Sequence, residues 1–326
     1  MKIVWLGQYQ RKRIPFCHYY ASLEEEMARI ADVSFYGVNG GPYLPEFDVE
    51  KIVLKENPDV IVSFTSQYCD PQTGEYLDRY TFKNLEKIQL PKYLKCSDPH
   101  SPNFERHIRF IRDMKIDMAS LVVWEEIVEK YKKEVSCKFV WMPTAIDINL
   151  FKDLDLERAM DVFFAGSLDA FYYPLRTQML LGLRRTRDIK SNLRGFRTHL
   201  VSESQWNEEL KKYIRELNEA KITPFSNSIY NYPVTRFFEG MACKCLVMAE
   251  KPLDADALHF IPRENFIEIN QQDYLEKIRY YLKNEDERKQ ITEKGWETIQ
   301  KYHTIQIRAK QMYENLRELI ESKQTT

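Results

Sequence analysis

The sequence predicts an α/β protein of two similar domains, and three observations predict it. Short runs of apolar, β-branched or aromatic residues recur, apolar on both faces, as in a parallel sheet covered by helices. Amphipathic stretches such as "HYYASLEEEMARIA" and "SQWNEELKKYIRELNEA" lie between several of them. The alternation restarts after residue 150, where the charged "KDLDLERAM" precedes a new first strand.

In chain order the expected strands are "KIVWLG", "VSFYGV", "DVIVSF", "KYLKCS", "SLVVWE" and "KFVWMP", then "DVFFAG", "RTHLV", "KITPFS", "CLVMAE" and "FIEI". From Gln271 onward the chain reads as helix almost throughout, and its last piece, "TIQIRAKQMYENLRELIESKQ", is long enough to leave its own domain. The expected domains are 1–150 and 151–305, with a helix at 306–326 packing back on the first. A chain of 326 residues suits two such domains, each with its own core.

Composition narrows the function classes. The 44% hydrophobic and 30% charged shares are those of a soluble globular protein, and a net charge of −1 offers no global attraction to nucleic acid or anionic membrane. No run approaches the ~18–20 apolar residues of a membrane span, and "MKIVWLGQYQRKR" carries its basic residues on the wrong side for a signal peptide, so a cytoplasmic location is expected. The six cysteines form no CxxC pair and read as buried thiols, with Cys243 and Cys245 on one strand face.

In open α/β sheets ligands bind beyond the carboxyl ends of the strands. Here the loops at those ends are "GQYQRKR", "TSQYCDPQTG", "SDPHSP", "GSLDAFYYP", "SNSIYNYP" and "EKPLDAD". The glycine fingerprint GxGxxG is absent, and the chain has only 10 glycines, which argues against a nicotinamide or flavin enzyme of the usual type.

The run "RFFEGMACKCLVMAE", followed by "IPRENFIEINQQDYLEKIRYYLKNEDERKQITEKGWETIQKYHTIQIRA", resembles the donor-binding half of GT-B glycosyltransferases, in particular the CgeB-like group-1 branch (family 4-like). "WMPTAIDINLFK" is similar to the interdomain segment of these enzymes and "DVFFAGS" to the first strand and turn of their second domain. Roughly residues 138–310 carry the likeness; the first 137 match in architecture only. The resemblance implies two Rossmann-like domains facing across a cleft, a nucleotide-sugar donor, and transfer to an acceptor hydroxyl. It further implies that Glu239, at the N-terminal end of a helix, accepts hydrogen bonds from the donor's ribose, work suited to an acceptor-only carboxylate. A glutamate that only caps its helix is the other reading. Two departures stand out: eight residues before Glu239, where relatives place a second glutamate, stands Asn231, and Lys244 occupies the place of a common glycine.

Other candidates follow from position. Gly166 and Ser167 end a strand where a diphosphate could approach the backbone. Arg176 and Arg236 could neutralise that diphosphate, or Arg236 could pair with Glu239. Ser226, Asn227, Ser228 and Tyr232 could line a base or sugar pocket, or be ordinary turn residues. Asp98 and His100 could orient or deprotonate an acceptor hydroxyl, or open a turn. The triplets Asp153/Asp155 and Asp254/Asp256 read as solvated loop acids, with no metal site expected. Residues 176–197 carry seven Lys/Arg against one Asp, either a solvated helix face or a contact with phosphates or a membrane surface. Arg11, Lys12 and Arg13 invite the same two readings.

The expected activity is therefore sugar transfer from a nucleotide-diphosphate sugar, UDP- or GDP-linked, to a glycan, lipid-linked or protein acceptor. It is expected to proceed without a metal and with retention, in the cytoplasm or at the inner membrane surface, and without nucleic acid. The alternatives are a nucleotide-sugar epimerase or hydrolase of the same fold, and a binding protein that has lost catalysis.

Overall fold

A computed structural model describes residues 1–7, 18–36, 47–64, 82–100, 103–195 and 203–325. The chain divides into two compact units, one made of Met1–Pro143 with Gln306–Thr326 and the other of Thr144–Ile305. Both are parallel α/β structures, as the alternation predicts.

The first unit runs β1 (Lys2–Leu6), α1 (His18–Ile30), β2 (Asp32–Tyr36), β3 (Phe47–Asp48), α2 (Val49–Glu56), β4 (Val60–Phe64), β5 (Phe82–Lys83), β6 (Lys92–Lys95), α3 (Asn103–Met114), β7 (Met118–Leu121), α4 (Glu125–Glu134) and β8 (Lys138–Trp141). Six of its strands form one sheet in the order β2-β1-β4-β6-β7-β8, parallel throughout, while β3 and β5 pair separately. The central strands β4, β6 and β7 are buried along their whole length; β4 and β7 are apolar but for one serine each, while β6 carries a buried lysine at either end. Asp48 caps α2 by accepting the Glu50 N–H at 3.1 Å, and Asn57 ends that helix in the left-handed conformation.

The second unit contains β9 (Met160–Gly166), α5 (Pro174–Arg185), β10 (Ser191–Gly195), α6 (Glu203–Glu219), β11 (Ala220–Pro224), α7 (Thr235–Ala242), β12 (Leu246–Ala249), β13 (Ile267–Glu268), α8 (Tyr274–Lys283) and α9 (Glu285–Tyr302). Its sheet, again all parallel, has the order β10-β9-β11-β12-β13. Beside β9 stands β10, a segment not expected as a strand; the expected "RTHLV" lies outside the described residues. Val162, Phe164, Met179, Ile222, Met248 and Ile278 are among the residues that build the core. Helix α7 lies close on its sheet because Gly240 has no side chain: a Cβ there would sit 2.7 Å from Val247 Cγ2 and 2.9 Å from Thr223 Cγ2.

The last helix, α10 (Ile305–Gln324), belongs almost entirely to the first unit. Met312, Leu316 and Leu319 are buried, Gln311 donates to the Trp141 carbonyl at 2.7 Å, Lys323 pairs with Asp117 at 2.8 Å, and Lys138 pairs with Glu318. Leu316→Ala should therefore destabilise the first unit by about 2–5 kcal/mol. Hydrogen exchange resolved by unit is the check: loss of protection in β6 to β8 is expected, with α7 to α9 unaffected.

Candidate functional site

The second sheet changes direction between β9 and β11, because β10 lies on one side of β9 while β11, β12 and β13 follow on the other. Loops at the carboxyl ends of the two strands must diverge there, leaving a crevice. Arg176, on the first turn of α5, spans it: Nη1 donates to the Ser167 carbonyl at 3.2 Å and Nη2 to the Ser226 carbonyl at 2.7 Å. The residue is 3% exposed, and its guanidinium stacks 3.7 Å from the Tyr173 ring centroid. Gly166 admits it, for a Cβ there would meet Arg176 Nη1 at 2.9 Å, and the φ of 151° is strained for any other residue. Burial pulls the guanidinium down to about 9, and repulsion from Arg236 acts in the same direction, against the pull of Tyr173, Tyr213 and Glu250. It remains a cation near neutral pH, and the two arginines are close enough to feel each other.

Glu239 is the fifth of the eight residues of α7, not at the helix N-terminus, which corrects the expectation that the helix end favours its charge. What meets its buried carboxylate is a side chain: the Tyr213 hydroxyl, from α6, donates to Oε2 at 2.6 Å. Burial, and then Glu239 itself, hold the Tyr213 phenol far above its ordinary range, so it stays a donor. Arg236, one turn before Glu239, lies with its guanidinium 5.9 Å from the Tyr213 ring centroid. Nothing in the apolar spacing of α6 separated Tyr213 from a core tyrosine.

The loop after β11 is buried at Ser226 and Asn227 and half-buried at Ser228 and Tyr232. The Asn227 amide donates to Asn231 Oδ1 at 2.7 Å and to the Glu250 carbonyl at 2.9 Å, while its backbone N–H donates to the Glu250 carboxylate at 3.1 Å. Asn231, in the left-handed conformation, donates in turn to the Lys251 carbonyl at 3.1 Å. The residue standing where relatives carry a carboxylate thus ties the β11 loop to the β12 loop. Ser228 Oγ accepts the Tyr230 N–H at 3.3 Å, and the Tyr232 ring stacks on Tyr230 at 5.6 Å. Among the described residues, Arg176 Nε, Ser226 Oγ and Asn227 Oδ1 are buried without a hydrogen-bond partner. Glu250, the first residue beyond β12, was not singled out from sequence; its position at a strand's carboxyl end was the signal. Burial raises its carboxyl, against the Asn227 N–H and Arg176.

In the first unit, Asp98 and His100 follow β6 and wrap the start of α3. The Asn103 amide donates to the Asp98 carbonyl at 3.0 Å, and the Asn103 and Phe104 N–H groups donate to the His100 carbonyl at 2.7 and 3.2 Å. Asp98 is exposed; desolvation by the atoms packed around it raises its carboxyl, against the pull of His100 and Lys95. Behind the loop sits a histidine that sequence reading passed over: His107 Nδ1 lies 2.6 Å from the Tyr131 hydroxyl and Nε2 3.2 Å from Ser97 Oγ. Burial pushes its imidazole down to about 3. The other notable cation is Lys95, the last residue of β6, 5% exposed and drawn down to about 8, first by burial.

Gly166, Ser167, Arg176, Ser226, Asn227, Ser228, Tyr232, Arg236 and Glu239 all fall at or beside the carboxyl edge of β9, β11 and β12, while Asp98 and His100 lie in the other unit. Of the aspartate triplets, Asp153 pairs with Arg158 at 3.6 Å and Asp256 with Lys251 at 2.9 Å, while Asp254 is buried beside the Asn231 loop, which corrects the expectation of a solvated acid there. Among the described residues, no group of three or more His, Cys, Asp or Glu stands together as metal ligands would. The basic segment 176–197 is not one face, since Arg176 is buried and Arg194 pairs with Glu209 and Glu216, leaving Arg184, Arg185, Arg187 and Lys190 exposed. Arg11, Lys12, Arg13 and Arg197 lie outside the described residues.

Residues 178–314 match a family described as glycosyl transferase-like. Among solved structures, sucrose-phosphate synthase from Thermosynechococcus elongatus is similar at a TM-score of 0.66 and 12% identity, with 99% of this chain and 100% of that one covered. A glycosyltransferase from Rickettsia africae gives 0.64 at 12% identity over 98% of both chains. The Anabaena protein HepE in complex with UDP-glucose gives 0.62 at 13% identity over 98% of this chain and 100% of that one. No curated protein sequence matches.

Two outcomes follow from the geometry. Tyr213→Phe should destabilise the second unit by about 1–3 kcal/mol, because it removes a donor from a buried carboxylate; unit-resolved hydrogen exchange reads it. His107 has a folded pKa near 3 against an ordinary value of 6.5, so the unfolded chain binds the extra proton between them. Stability of the first unit should be full above pH 6.5, fall as the pH drops toward 3, and fall less in His107→Gln, as followed by acid titration of the near-ultraviolet signal.

Proposed function

We infer that this protein, a glycosyltransferase of GT-B fold whose residues 178–314 are a glycosyl transferase-like domain, takes its sugar from a UDP-linked donor held at the carboxyl edge of β9, β11 and β12. One observation carries the reading: Arg176 bridges the loops where they diverge, beside Ser226 Oγ and Asn227 Oδ1 that are buried with hydrogen-bonding capacity unused among the described residues, and Arg236 adds a second cation from α7. A nucleoside diphosphate supplies both complements. Its phosphates carry the negative charge, and its base and ribose carry the donors and acceptors.

Arg236, half-buried on α7, would meet the diphosphate directly, and Arg176 would contribute charge from behind the Gly166–Ser167 turn. As the sugar leaves, negative charge grows on the diphosphate, and fixed cations in a partly desolvated site stabilise that charge without reorganising. Glu239, held by Tyr213, accepts from the ribose hydroxyls, work suited to an acceptor-only carboxylate. Glu250, anchored on the Asn227 N–H, offers the donor sugar the carboxylate that Asn231 does not. UDP is preferred over GDP on the strength of the HepE complexes with UDP and UDP-glucose. Asp98 and His100 would contact the acceptor hydroxyl, and retention of the anomeric configuration follows the family resemblance.

Calorimetric titration with UDP, GDP, dTDP, ADP and CMP tests the donor site. UDP should bind best, and Arg236→Ala and Glu239→Gln should each weaken it about 10- to 100-fold, the equivalent of about 1.5–3 kcal/mol for a hydrogen bond to a charged group. Absence of binding by every nucleotide in folded wild-type protein would overturn the reading. UDP release from UDP-glucose that is indifferent to every added acceptor would instead favour a hydrolase.

A further inference from the structure

The first sheet has its own change of direction, between β1 and β4, and β6 lies next to β4. The ends of β4 and β6 meet in register, Phe64 against Lys95. Here the sheet delivers a lysine, not an apolar residue, into the protein. Lys95 Nζ lies 4.5 Å from the Tyr20 ring centroid and 5.5 Å from that of Phe64, and among the described residues it has no hydrogen-bond acceptor. Two ring faces hold a cation electrostatically, yet they leave three N–H donors without oxygen.

The rings around it form a platform. Tyr20 packs on Phe64 with centroids 4.7 Å apart, and Tyr19 lies against Tyr20 at 3.9 Å, both tyrosines half-exposed at the start of α1. Flat aromatic faces beside a polar donor suit a pyranose ring, whose C–H faces are apolar and whose edge is polar. Burial is the largest influence on the Lys95 ammonium; Cys96, Asp98 and Glu24 favour its charge and Arg308 opposes it, and an anion bonded to it would offset the cost of burial more than a neutral hydroxyl would.

We propose that Lys95, with the Tyr19–Tyr20 platform at the carboxyl end of β4 and β6, is the acceptor subsite, and that it takes a sugar bearing an acidic group, either a carboxylate or a phosphate ester. Charge-assisted bonds to such a group are the strongest complement to an ammonium that has no acceptor among the described residues. The assignment rests on the glycosyltransferase reading for the word acceptor, but not for the binding itself.

The test is binding of glucuronate, glucose 6-phosphate and glucose to the full chain saturated with UDP, so that the donor site is occupied. It is read by ligand-detected NMR on wild type and Lys95→Met. Glucuronate or glucose 6-phosphate should bind at least tenfold more tightly than glucose, and Lys95→Met should erase the difference while leaving UDP affinity unchanged. The pair of acidic sugars separates carboxylate from phosphate recognition. Equal binding of all three by wild type, or an acidic preference that survives Lys95→Met, would overturn the proposal. Lys95→Gln provides the same comparison where the methionine variant does not fold. Failure of UDP to bind would count against the donor reading alone, and the sugar series repeated without UDP would still decide this one.

Discussion

The second unit depends on one buried cation joining the loops that leave two paired strands. Beyond the paired part of β9 and β11 the ladder ends, and carbonyls of the diverging loops need donors. Arg176 supplies both from a single planar group, closing the gap between the Ser167 and Ser226 carbonyls. An ammonium could not reproduce two such bonds in one plane, and a neutral side chain would leave both carbonyls buried without them. The glycine at 166 and the ring of Tyr173 make room for the guanidinium and stack on it. The positive centre that would attract a diphosphate is thus first a structural necessity of the fold, and chemistry makes use of a charge already in place.

The same logic separates the two sheets. In both, the strands are so apolar that polar side chains gather at the carboxyl edge, but the polar groups there are resolved differently. The second unit ties its edge with amide and carboxylate networks through Asn227, Asn231 and Glu250. The first unit leaves a lysine against aromatic rings. A network of mutually satisfied amides holds a loop in one geometry, as a nucleotide pocket requires. An unbonded cation on rings holds geometry loosely and keeps its hydrogen bonds for a visitor.

Much of this was legible in the sequence, and the limits are physical. Every apolar run that falls within the described residues marks a strand, because a strand buried on both faces leaves a largely apolar signature. The positions of Gly166, Ser226 and Glu239 followed from strand ends and from a family likeness. What was illegible depends on tertiary distance. Tyr213 reaches Glu239 across 26 positions of chain and looks, in its own helix, like any core residue. The burial of Lys95 could not be read because a lysine at the end of a strand normally turns outward. The expected placing of Glu239 at a helix N-terminus failed because α7 begins four residues earlier, at Thr235, so the partner of its charge is a hydroxyl and not a dipole.

The two departures from the family pattern, Asn231 and Lys244, raised the prospect that the chain had lost its chemistry, and the geometry argues otherwise for both. Each takes a left-handed backbone, φ 54° and 50°. At Lys244, just past the end of α7, relatives carry glycine because that conformation costs other residues about 1 kcal/mol or more. Here the side chain recovers part of that cost: its ammonium pairs with Glu293 at 2.8 Å and lies 4.5 Å from the Trp296 ring centroid, contacts worth about 0.5–1 kcal/mol each at an exposed site. Those contacts tie α7 to α9 and touch none of the residues at the strand ends. Asn231 tolerates the left-handed backbone well and spends its amide on joining two loops of the donor edge. Both substitutions therefore have their explanation in holding the fold. Neither removes the arginines, the Glu239–Tyr213 pair or Glu250, on which donor binding would rest.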